Sequence, residues 1–211
     1  MTRILLASVF LALLCAGRAS ATALGDFADA WSKVDDYTCT IVVHETLGSN
    51  TQDRTYDYWF KKPSLAKIEI TSGPGSGSGS VWHGGDTVLG HQGGLFRGIK
   101  MSVSIHDPRA VSLRGDTIAD ASFGTTLAFY QGNNGTIAES AGPAIDGVPT
   151  NVITLTIANP QSDNGVTRDV LYISTATHLP VRRMRYTGDT VVKLENFTRL
   201  KVNPGLKDSD F

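Results

Sequence analysis

Five histidines, His44, His83, His91, His106 and His178, are the residues of this 211-residue chain best suited to chemistry. His83 and His91 flank Gly84-Gly85-Asp86, and with Asp86 they are the one set whose types could hold a metal ion and activate a water for hydrolysis. Their spacing argues against it. If Gly84-Gly85-Asp86 makes a tight turn, residues equidistant from it pair across the hairpin, and His91 lies too far along to face His83. No nucleophile elbow, phosphate loop, dinucleotide fingerprint or H-E-x-x-H pair occurs in the chain. The histidines read as loop and surface residues, and no cofactor, metal or enzymatic activity is expected.

Two further groups of side chains bear on binding. Arg182, Arg183 and Arg185 cluster on one strand, with Arg183 and Arg185 on the same face. They could meet an anionic headgroup, but a solvated strand face is the expected reading. The aromatic residues Tyr56, Tyr58, Trp59, Phe60, Trp82 and Tyr172 also lie in strand patterns. They fit an ordinary core first, and also a concave apolar surface that holds an acyl chain. The candidate binding face is Tyr56, Tyr58, Phe60, Ile68, Ile70 and Trp82. The segment from Ile118 to Tyr130, with Phe123 and Leu127, is its candidate lid.

The elements that must position these residues follow from periodicity. Leu24, Phe27, Ala28, Trp31 and Val34 have helical spacing, which predicts a helix between Thr22 and Asp35. From Tyr37 the period becomes two: Tyr37, Cys39, Ile41 and Val43 alternate with polar neighbours, and Arg54 to Lys62 repeats the pattern after a turn at Gly48-Ser49-Asn50. Ala66, Ile68 and Ile70 continue in a third strand. Residues 72–80, nearly all Gly and Ser, read as a flexible hairpin tip. Val81 to His83, Thr87 to Gly90 and Leu95 to Ser104 follow. Asp120 is the expected cap of a helix carrying Phe123, Leu127 and Tyr130 and ending at Gly132. Four more strands are expected at Val152 to Ala158, Thr167 to Ser174, Leu179 to Thr187 and Thr190 to Val202, the last with a bulge because Val192 and Leu194 fall out of phase with Phe197. The predicted fold is mainly β (α+β): a strongly curved antiparallel sheet or half-open barrel, with an N-terminal helix and a central helical lid.

The amino terminus carries an apolar run from Ile4 to Cys15 after Arg3, then Ala19-Ser20-Ala21, the pattern of a cleaved signal peptide over residues 1–21. Gly17 and Arg18 leave that run too short to span a membrane, so no transmembrane segment is expected after cleavage. Leu14 before Cys15 argues against lipidation. Residues 22–211 then form a single domain with 17 basic and 20 acidic residues. That balance does not favour nucleic acid or an anionic surface as a partner. Cys39 is the one cysteine left, so no internal disulfide is expected.

Tyr56-Asp57-Tyr58-Trp59-Phe60-Lys61-Lys62-Pro63, Ile68-Glu69-Ile70 and Val81-Trp82-His83-Gly84-Gly85-Asp86 resemble the opening of LolA-like periplasmic lipoprotein carriers. The ending is similar too, at His178-Leu179-Pro180-Val181-Arg182, Glu195-Asn196-Phe197 and Asn203-Pro204-Gly205-Leu206. The stretch Asp107 to Gly124, with Ser112-Leu113-Arg114-Gly115 and Ile118-Ala119-Asp120, resembles the DUF1571 branch. This resemblance implies a half-open barrel plugged by helices that holds acyl chains or a hydrophobic peptide. The expected function is a non-enzymatic periplasmic protein that binds a hydrophobic ligand or lipoprotein. An envelope protein-interaction module with a filled cavity is the alternative, and the histidine-based hydrolase the third.

Overall fold

A computed structural model describes residues 22–96 and 98–211. The expected signal peptide lies outside the described residues. Thr22 caps the first helix, α1 (Ala23–Ser32), by accepting a hydrogen bond from the Gly25 amide at 3.0 Å. Phe27 is fully buried beneath it, as the helical stripe requires. At the other end the Lys62 ammonium donates to the Trp31 carbonyl at 2.7 Å, a cation placed where the helix dipole favours one.

The strands are β1 (Asp36–Leu47), β2 (Asn50–Lys61), β3 (Leu65–Ser72), β4 (Gly79–Trp82), β5 (Thr87–His91) and β6 (Lys100–Ser104). After the second helix, α2 (Phe123–Gly132), come β7 (Thr136–Ala141), β8 (Thr150–Thr156), β9 (Arg168–Ser174), β10 (Pro180–Thr187) and β11 (Thr190–Val202). They form one open antiparallel sheet in the order β6-β5-β4-β3-β2-β1-β11-β10-β9-β8-β7, not closed into a barrel. Two meanders, one from each half of the chain, therefore meet at the central β1/β11 ladder. Because β6 and β7 are the opposite edges, the connection between them must cross the sheet. That connection, residues 105–135, supplies α2 and the covering loops.

Several details depart from the expected pattern. The Gly/Ser tract is partly strand: Gly79 and Ser80 pair with Glu69 and Ile68, and the tip is closed by hydrogen bonds from the Ile70 amide to the Ser78 carbonyl and from the Gly77 amide to the Ile70 carbonyl. Ser122, not Asp120, caps α2, accepting from the Thr125 amide at 3.0 Å. Asp120 instead accepts from the Thr117 amide and hydroxyl. Strand β7 was not expected. Its Glu139 accepts from the Ala23 and Leu24 amides at 2.6 and 3.1 Å, satisfying donors that α1 leaves free at its start. The bulge expected in β11 is present twice, where the pairing with β10 slips at Arg185/Tyr186 and the pairing with β1 slips between Thr38 and Thr40. The slip against β1 leaves Arg199 with a positive φ of 53°.

A cavity beside a buried belt of charge

The covered face of the sheet has two unlike regions. Around Tyr37 it is tightly filled with aromatic rings. Phe123 stacks on Tyr37 with centroids 4.6 Å apart, Phe60 and Tyr58 lie beside it, and Phe197 meets Phe123 edge-on. The other region is charged. The register puts Gln52, Glu45, Lys193, Arg185 and Asp169 in one row across five strands, with Arg54, Val43, Glu195, Arg183 and Leu171 in the next. Burying this many charges is tolerable because nearly all of them find a close partner, Arg54 being the exception.

The partners are close. Asp169, fully buried, accepts from Arg183 through both carboxylate oxygens, at 2.6 Å from Nη2, and from the Tyr130 hydroxyl at 2.8 Å. Arg185 reaches Asp163 and Asp116. The Lys193 ammonium lies 2.8 Å from Asp116 and 3.0 Å from Glu195. Burial alone would push the Asp116 carboxyl up, but Lys193 and Arg185 beside it hold it well below the usual carboxylate range. Burial likewise lowers Lys193, and Glu195 and Asp116 reverse this and raise it above an ordinary lysine. The expectation of a solvated arginine face is thus corrected: Arg183 and Arg185 are buried, because acids from β9 and from the 105–121 and 157–167 loops fold over them.

Between this belt and strands β3 to β6 lies a half-open cavity of 430 Å³. Its walls are Ile41, Val43 and Tyr56 from β1 and β2, Ile68 and Ile70 from β3, Val88 from β5, and Met101 and Val103 from β6. The space exists because side chains are missing. Ile68, Ser80, Gly90 and Met101 form one register row, and its middle two members are too small to fill the space beneath the cover. The cover comes from Arg109 to Ser112 and Asp116 to Ile118, with Ala121. Glu45 holds that segment down, accepting from the Ser112 hydroxyl at 3.1 Å and the Leu113 amide at 2.9 Å.

Of the candidate face, Tyr56, Ile68 and Ile70 line the cavity. Tyr58 and Phe60 are buried in the aromatic region, and Trp82 is half-buried with its indole donating to the Gly85 carbonyl. Of the candidate lid, Ile118 lines the cavity and receives at its carbonyl the Tyr58 hydroxyl's hydrogen bond. Phe123, Leu127 and Tyr130 pack in the core away from it. Lining residues that the sequence did not single out include Arg54, Ser112, Asp116, Lys193 and Glu195. A polar residue at an inward position of an alternating strand was the available signal for Arg54, Lys193 and Glu195. His83, Asp86 and His91 do not converge: His91 pairs with Gly79, and its Nε2 lies 3.1 Å from Glu69. Among the described residues no group of three or more His, Cys, Asp or Glu is placed to hold a metal. Cys39 is buried, and burial pushes its thiol well up, away from reactivity.

No family model matches the chain, and no curated protein does. Solved structures do match in fold. An uncharacterized conserved protein from Thermus thermophilus aligns at a TM-score of 0.54 with 9% identity, over 88% of this chain and 90% of that one. MucB aligns at 0.53 with 13% identity, over 92% of this chain and 62% of the MucB chain; MucB from Pseudomonas aeruginosa has also been solved with MucA. A LolA superfamily protein from Nitrosomonas europaea aligns at 0.43 with 12% identity, over 91% of this chain and 98% of that one. At these identities the likeness is one of fold. Among the described residues, no helix is long and apolar enough to cross a membrane.

Proposed function

We propose that this chain binds the acyl chain of a lipid or lipoprotein in the bacterial periplasm and performs no chemistry on it. The observation that carries this reading is the 430 Å³ cavity, walled by aliphatic side chains and open to solvent on one side. Its volume falls within the roughly 300–1,000 Å³ of small-molecule sites. Met101 and Ile99 at its rim are 43% and 59% exposed, apolar surface that a bound chain would cover. The signal-peptide pattern supports export, and the motifs shared with LolA-like proteins, including the DUF1571-like stretch from Asp107 to Gly124, support a carrier role.

The test fills the hole. A Cβ at Gly90 would meet nothing nearer than 3.6 Å, and its backbone is not in the left-handed region, so Gly90→Leu leaves the strand intact and projects into the cavity. Native mass spectrometry of delipidated protein with dodecanol should show one bound ligand in the wild type and none in Gly90→Leu, at unchanged melting temperature. Wild-type protein that binds no acyl compound in any preparation would sink the proposal. A second reading, a protein-interaction module of the cell envelope, draws on the fold shared with MucB, which assembles with MucA. It predicts that Gly90→Leu leaves capture of an envelope protein partner untouched.

A further inference from the structure

Among the described residues, four side chains with basic nitrogens line the cavity: Arg54, His91, Arg109 and Lys193. Three of them have a carboxylate partner. Asp107 grips Arg109 with both oxygens, at 2.8 Å from Nε and from Nη2. Glu69 meets His91, and Asp116 with Glu195 meets Lys193. Arg54 is different. Among the described residues no carboxylate lies within ion-pairing distance of it, and its one side-chain contact is Nη1 donating to the Tyr56 hydroxyl oxygen at a long 3.4 Å. Its Nε is buried and bonded to nothing.

Other arginines with an unbonded Nε are compensated elsewhere. Arg114 donates to the Thr46 and Asn164 carbonyls, and Arg185 reaches three carboxylates. Arg54 thus leaves most of its donor fork pointing into a largely apolar space. The two acids that share the cavity, Asp116 and Glu195, cannot compensate it, since both are held by Lys193 and Val43 stands between Arg54 and Glu195 in the register row. A guanidinium pairs best with a planar or tetrahedral oxyanion that takes two of its hydrogen bonds.

We infer that the ligand is an amphiphile whose acyl chain lies along Ile41, Val43, Ile68, Ile70 and Met101 and whose anionic oxygen group, a carboxylate or a phosphate, is bound by Arg54 with the Tyr56 hydroxyl beside it. This rests on the acyl-binding reading above and names the ligand class for that cavity. The Tyr56 hydroxyl, freed from its long contact with Arg54, supplies a second donor to the same oxyanion.

The experiment compares ligands with one chain and different ends. Affinities of lauric acid, lauryl phosphate and dodecanol are measured by titration calorimetry for wild type, Arg54→Met and Arg54→Lys, with thermal melts as a folding control. Wild type should bind the acid, the phosphate or both roughly tenfold or more tighter than the alcohol. The better of the two identifies a free fatty acid or a phospholipid as the source. Arg54→Met should erase that preference and keep dodecanol affinity, while Arg54→Lys, which keeps the charge but not the fork, should retain part of it. Equal binding of all three ligands by wild type, or a preference that survives in Arg54→Met, overturns the inference and leaves acyl binding standing. Failure of all three ligands to bind overturns both.

Discussion

Asp169 carries more of the buried belt than any other single residue. It is fully buried and accepts from Arg183, Tyr130 and, at 3.6 Å, faces Arg185. Asp169→Ala would strand the Arg183 guanidinium away from water, since Arg185 keeps Asp116 and Asp163, and this costs about 3–5 kcal/mol. For a domain of this size that lowers the melting temperature by roughly 6–20 °C, readable by calorimetry. Replacing partners together, Asp169→Leu with Arg183→Met, should cost less than Asp169→Ala, since the uncompensated charge is what hurts. Asp116 makes the acid-side prediction. Its native carboxyl ionises well below the unfolded value, so the stability it contributes is fully present above about pH 4 and is lost as pH falls further. Melting temperature followed from pH 6 down to pH 2 should therefore fall more steeply for wild type than for Asp116→Asn. Parallel curves would show that the Lys193 and Arg185 contacts do not hold this carboxyl down.

Among the elements, the Gly/Ser tract shows how composition can mislead. Read as letters it is a linker, yet two of its glycines are fixed by neighbours. A Cβ on Gly79 would sit 2.5 Å from the Ile68 carbonyl oxygen, and one on Gly73, whose φ is +89°, would sit 2.0 Å from the Asp53 carbonyl oxygen. Gly79→Ala must push β4 away from β3 and should cost about 1–3 kcal/mol, whereas Ser76→Ala at the exposed tip should fall within about 0.5 kcal/mol of wild type. Amide exchange gives a second check: the Ile70 and Gly77 amides, both hydrogen-bonded across the tip, should be protected where a flexible linker would exchange freely. Element by element, the strands with one buried face were legible because their alternation survives in the letters. Strand β7 was not, since Thr136 to Ala141 is an edge largely exposed on both faces and carries no apolar alternation. The phase break of Phe197 against Val192 and Leu194 announced a bulge in β11, because a one-residue insertion flips every following side chain; the slips themselves lie on either side of the regular stretch from Leu194 to Phe197.

At the scale of the whole molecule, two features escaped sequence reading for one reason: both depend on what lies across the sheet. The inward charges of β10 and β11 look like a solvated face until Asp116 and Asp163 arrive from loops far along the chain. The cavity is made by the smallness of Ser80 and Gly90, and small residues leave no apolar signal to read. The topology explains why cover and cavity occur together. A chain that pairs its ends at β1/β11 and leaves β6 and β7 at opposite edges must return across the covered face, and the stretch from Ile105 to Ala121 makes the first part of that crossing as irregular turns. Such a segment is held by a few polar contacts in place of a packed helix face: Glu45 to Ser112 and Leu113, Lys193 to Asp116, Arg114 to Thr46 and Asn164, and Tyr58 to Ile118. If a ligand enters under this cover, those contacts must open and re-form while the sheet stays intact. Weakening one of them then changes rates more than affinity, because the closed unliganded and closed liganded states lose the same contact. Glu45→Gln, which exchanges a charge-assisted acceptor for a neutral one at a fully buried position, should raise association and dissociation rates of lauric acid roughly tenfold and leave the dissociation constant nearly unchanged. Exchange of the Leu113 amide should accelerate in parallel. Faster Leu113 exchange with unaltered ligand rates would place the path to the cavity elsewhere, at the open side rimmed by Ile99 and Met101.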